Sequence, residues 1–235
     1  MTNSTALLTV GMVVCAGLLI VGGIVFVVWS SRRRKRQSAE QARQLGFQLL
    51  TNPDADLVGR VERALRPATA VRLSNVARKV VGDVWVYLFD VSYRGGGRSD
   101  SLQQEYCCVA VISPRAALAP FLLVPRLPQL GPLGDSLNDL YRIGAKMAGM
   151  REVSGGPLGF ADRYLLFSGD AAPGEVGISD RTLVLLGQAQ KYVARGCGDL
   201  LVFNDADIRR GATVTREILA EHVRKALQLA EWLQE

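Results

Sequence analysis

Charge is missing from the start of this chain: no Asp, Glu, Lys, Arg or His occurs between Met1 and Ser31. Histidine is almost absent, His222 being the single one in 235 residues. The four cysteines, Cys15, Cys107, Cys108 and Cys197, form no CxxC pair. A zinc site needs about four ligands at workable spacing, so this supply excludes one. None of the five lysines follows a glycine, which excludes a P-loop, and neither GxSxG nor HExxH occurs. Asp205 and Asp207 in NDAD lack the further ligands and the glycine of a calcium loop. The sequence therefore carries no recognised catalytic motif and calls for no cofactor and no metal.

An excess of bases on the folded part is also missing. Of 28 Lys and Arg, five stand together as Arg32, Arg33, Arg34, Lys35 and Arg36, and the other 23 are balanced by 22 acidic residues. Nucleic-acid binding would need the excess on the domain. The pI of about 9.4 belongs to that one cluster.

What is present first is a long apolar run, Ala6 to Trp29, ALLTVGMVVCAGLLIVGGIVFVVW. At about 1.5 Å per residue such a helix crosses the roughly 30 Å hydrocarbon core with room to tilt. A cleaved secretory signal would have a shorter apolar region with its bases in front. The run predicts a permanent single span over 6–30, after a short extracytoplasmic tail at 1–5. Bases beside a span stay on the cytoplasmic side. The cluster after the run thus predicts the N-terminus outside and the C-terminal domain cytoplasmic. Arg32 to Arg36 and Trp29 are the expected contacts with the anionic leaflet. Residues 31–45 read as the basic juxtamembrane segment and a linker helix.

Residues 46–235 predict a cytoplasmic α+β domain, an antiparallel sheet packed with helices. VWVYLFDVSY alternates, with Trp85, Tyr87, Phe89, Val91 and Tyr93 on one face and Val84, Val86, Leu88, Asp90 and Ser92 on the other. LQQEYCCVAVIS returns as its hairpin partner, with Cys107 and Cys108 on opposite faces. Its polar beginning, Gln103 to Glu105, is expected in water near the hairpin tip. Asn52-Pro53 is expected to open a helix carrying Leu57, Val61 and Leu65. Five of the nine prolines lie between Pro114 and Pro132, a stiff connection and a possible sub-boundary at 114–135. Its extended piece, Phe121 to Val124, is expected at a sheet edge. Leu183, Leu186, Ala189 and Val193 predict a helix ending at Gly196. DLLVFN predicts a strand, and Leu219, Val223, Ala226, Ala230 and Leu233 mark a terminal helix.

GFADRYLLFSGD, a helix, GDLLVFND and a terminal helix, together with LFDVSYRGGG and APFLLVP, follow a recurrent order. In this the chain resembles bacterial single-pass membrane-anchored proteins of unknown function with a cytosolic α+β domain. The resemblance implies a fold and a bacterial origin, and it supplies no catalytic residue.

The expectation is a membrane-anchored module that recruits or positions a protein partner. Its contact is the glycine-rich hairpin tip, Arg94, Gly95, Gly96, Gly97 and Arg98, since loops on a rigid sheet are frequent binding sites. The alternative is a membrane-tethered enzyme acting on a lipid or nucleotide. Buried carboxylates, arginine and His222 converging in a deep pocket would favour that enzyme; a flat apolar patch would favour the partner.

Overall fold

The computed structural model describes residues 37–95, 102–127, 132–154, 156–157, 159–169, 178–188, 192–205 and 214–234. The apolar run and the basic cluster lie outside the described residues. Among the described residues no helix is long and apolar enough to cross a membrane.

The alternating segments form the central hairpin, β3 (Val84–Arg94) and β4 (Leu102–Ile112), paired antiparallel from Trp85↔Ile112 to Arg94↔Leu102. The chain begins with helix α1 (37–44), β1 (Gln48–Leu49), helix α2 (Ala55–Ala64) and β2 (Thr69–Val81). After β4 come β5 (Leu118–Pro125), α3 (Pro132–Met147), β6 (Arg151–Glu152), β7 (Tyr164–Ser168), α4 (Asp180–Gln188), β8 (Tyr192–Gly198), β9 (Leu200–Asp205) and α5 (Arg216–Trp232). All nine strands make one sheet, ordered β1-β2-β3-β4-β9-β8-β5-β7-β6, with every pairing antiparallel. With the five helices among the described residues this is an α+β fold.

Three local expectations are corrected. The helix predicted to run on through Val193 is described over Asp180–Gln188, and Tyr192–Gly198 is instead a strand in which Tyr192, Ala194 and Gly196 point into the core. Phe121–Val124 lies inside the sheet, between β8 and β7, not at its edge. Its prolines are tolerated because Pro120 falls in a register shift and Pro125 ends the strand. The cap of α2 is Asp54, whose carboxylate accepts from the Asp56 amide at 3.0 Å, rather than Asn52.

Helices cover both faces. One face buries Val86, Leu88, Val109, Val111 and Phe203 beneath α1, α4 and α5. The other carries two separate clusters: Tyr87, Phe89, Val91 and Val202 under α2, and Val124, Leu165 and Phe167 under α3. The strand ends define two ends of the sheet. The β2–β3 turn, residues 113–117 and the β8–β9 turn lie at one end; the β3–β4 connection, Pro125 and Asp205 lie at the other.

Candidate functional site

A β-bulge creates the site. Between Phe89↔Cys108 and Val91↔Glu105, β4 uses one more residue than β3, and Cys107 takes a φ of 53°. The extra residue turns Glu105 onto the same face as Cys108. Asp90 holds the bulge: its carboxylate accepts from the Cys107 amide at 3.0 Å and from Asn75 Nδ2 at 2.6 Å. Asn75, on β2, is itself left-handed at φ 55°, inside a second register shift.

Glu105 then faces Arg195 of β8. Arg195 donates twice, to Oε2 at 3.2 Å and to Oε1 at 3.0 Å. Tyr93 donates its hydroxyl at 2.6 Å, and Asn204, on the intervening β9, donates at 3.4 Å. The two charged side chains are only 17% and 16% exposed. Burial works to raise the Glu105 carboxyl, but the Arg195 charge and these hydrogen bonds outweigh it and hold it below its usual range. Burial would lower the Arg195 guanidinium, and Glu105 overrides it in the raising direction. Burial pushes up both the Tyr93 phenol and the Cys108 thiol, with the Glu105 carboxylate adding to each. At neutral pH the network therefore holds a protonated phenol, a protonated thiol and a mutually neutralised ion pair. It offers neither a thiolate nor an unpartnered base.

Arg195 pairs in register with Val202 on one side and Leu122 on the other, so it stands between the α2 and α3 clusters. Above it opens a cleft of about 270 Å³, walled by Leu65 and Pro67 after α2, by Tyr141, Gly144 and Ala148 near α3, and by Gly95 at the end of β3. Small residues make room: a side chain at Gly144 would meet nothing within 4 Å. Arg66 and Gln103, both exposed, give the cleft its polar rim. Beside it α3 presents Leu140, Ile143 and Met147 to solvent, one stripe at helical spacing.

Of the expected contact loop, Arg94 is exposed at the end of β3 and Gly95 lines the cleft, while Gly96, Gly97 and Arg98 lie outside the described residues, as do Trp29, Arg32, Arg33, Arg34, Lys35 and Arg36. His222 is buried on the opposite face of the sheet, its ring edge-on to Phe203 at 4.9 Å. His222 and the Glu105–Arg195 pair therefore lie on opposite faces of the sheet. Cys107 and Cys108 are buried in different clusters, on opposite faces as expected, and Cys197 is half-buried. Among the described residues no group of three His, Cys, Asp or Glu is placed to hold a metal ion. Sequence reasoning missed Glu105, Arg195 and the cleft. The available signal was a single arginine, Arg195, in the short run YVARGCG; Glu105 was masked by its polar neighbours Gln103 and Gln104.

No family model matches the chain, and no curated protein matches it in sequence. In structure the chain is similar to the crystal structure of the mycobacterial trehalose monomycolate transport factor A, TtfA, with a TM-score of 0.50 and 15% sequence identity over 86% of this chain and 95% of that one. The likeness is one of fold.

Proposed function

We propose that this protein is a single-pass, membrane-anchored module that positions a protein partner at the cytoplasmic face of the membrane, without catalysing a reaction. The observation that carries this reading is the cleft between α2 and α3, apolar and flanked by the uncovered stripe of Leu140, Ile143 and Met147. A surface of that kind suits apolar side chains of a partner, with the rim arginine Arg66 available to an acidic group beside them. The apolar run and the basic cluster supply the tether and its orientation. The fold is shared with a transport factor, and assistance to a transport process is a natural setting for such a module.

The test is photo-crosslinking in native membranes from a reactive amino acid at Tyr141, comparing the parent chain with Gly144→Leu. Gly144 lines the cleft, a Cβ there meets nothing within 4 Å, and leucine favours the helix over glycine. A discrete adduct that disappears in Gly144→Leu supports the reading. The same adduct at the same yield in both chains overturns it. The orientation is checked by a C-terminal reporter active only outside the cytoplasm, which should stay silent.

A further inference from the structure

The β2–β3 turn, at the end of the sheet remote from the cleft, exposes Val80, Val81 and Trp85 to 52%, 36% and 41%. Val80 and Trp85 are register partners, so their side chains stand together, and the Arg78 guanidinium lies 5.4 Å from the Trp85 ring centre. From the structure we infer that this hairpin tip docks in the interfacial zone of an anionic bilayer, the one to which the chain is tethered, and so sets the domain's orientation. This rests on the single-span reading.

The position of the tether argues for that occupant. Lys79 Nζ donates to the Leu45 carbonyl at 2.8 Å, and Gln48 pairs with Arg78, so the hairpin's base grips the chain leaving α1. From residue 37 to Leu45 a helix rises about 12 Å, so α1 begins within about that distance of the hairpin's base whichever way it points. Trp85 and Tyr93 lie eight residues apart on β3, about 27 Å. The chain therefore enters the domain beside the Trp85 end, and the stretch from Trp29 to residue 37, which reaches at most about 28 Å, brings that end within range of the bilayer.

Chemistry points the same way. An aromatic ring with an apolar body and a polar edge, two valines and neighbouring cations are what a membrane interface receives. The cations at this end are Arg78, Lys79 and Arg115; Arg115 binds Asp83 at 3.0 Å, and of the acids at the start of α2, Asp54 and Asp56, Asp56 is bound by Arg60 at 2.7 Å. The adjoining Asp199 is already held by Arg60. Docked this way, the cleft stands away from the bilayer, open to a partner.

The experiment reconstitutes the full chain in nanodiscs of phosphatidylcholine with and without phosphatidylglycerol, carrying lipids brominated near the headgroup end of the acyl chain. Tryptophan emission is compared with that of Trp85→Phe and Trp29→Phe, isolating each ring by difference. The Trp85 component should be quenched by the brominated lipid and shielded from aqueous acrylamide. That quenching should fall without phosphatidylglycerol and be lost in a Val80→Ser, Val81→Ser chain. A Trp85 component open to acrylamide and untouched by the brominated lipid overturns the inference. Trp29 reports the span separately: Trp29 quenched with Trp85 in water keeps the tether and sinks the docking, whereas Trp85 quenched without Trp29 keeps the docking and sinks the tether.

Discussion

Arg195 reaches Glu105 across the width of β9, from two strands that are not neighbours, and grips both carboxylate oxygens at 3.0 and 3.2 Å. Arg195 stands between the two separate apolar clusters on that face of the sheet. Desolvating two charges is costly, and removing one partner strands the other.

Arg195→Met alone should therefore destabilise the domain by about 3–5 kcal/mol, and the double variant Arg195→Met, Glu105→Leu should recover much of that loss. Urea unfolding of the parent, both single variants and the double variant measures the coupling. Simple additivity would show that the pair does not act as a unit.

Glu105 also predicts a pH dependence. Its folded carboxyl titrates below its unfolded value, so it contributes stability that is fully present above the unfolded value near pH 4.3 and is lost as pH falls through the folded one. The stability gap between the parent and Glu105→Gln should narrow as pH drops from neutral through that window. Denaturant midpoints at a series of pH values decide the point, and a gap that stays constant argues against it.

How much of this was legible beforehand depended on the period of each segment. In β3 and β4 aromatic and β-branched residues alternate cleanly, so the hairpin and the opposed faces of Cys107 and Cys108 follow from sequence. The bulge does not: a side chain on the neighbouring strand, Asp90, satisfies the Cys107 amide, and one extra residue moves Glu105 from the expected solvated tip into the core. β8 was hidden because Leu183, Leu186, Ala189 and Val193 continue a helical spacing across the end of α4. Only the sheet, with β9 and β5 on either side, decides that Tyr192–Gly198 is extended. The cleft was invisible for the same reason, since its floor is Arg195.

Gly196 offers a sharper packing test. It pairs with Phe121, and a methyl added there would overlap the Phe121 ring. Gly196→Ala should cost about 1–3 kcal/mol through overpacking, and adding Phe121→Leu should relieve part of that cost. Thermal unfolding of the two chains checks it; equal melting temperatures for the parent and Gly196→Ala would show that the ring moves aside freely.

The last prediction concerns the connection between β3 and β4. Arg94 and Leu102 are paired in register, so replacing residues 95–101 by Asn-Gly leaves a two-residue hairpin of favoured geometry. The apolar pairs that root this hairpin, such as Leu88 with Val109, lie away from the tip, and the melting temperature should stay within a few degrees of the parent's. Yet Gly95 is part of the cleft wall, beside Gln103 on the rim. The shortened chain should therefore give a weaker crosslink from Tyr141 while remaining folded. A folded, shortened chain that yields the parental adduct in full would make the loop a mere connection and leave α2 and α3 as the whole of the contact surface.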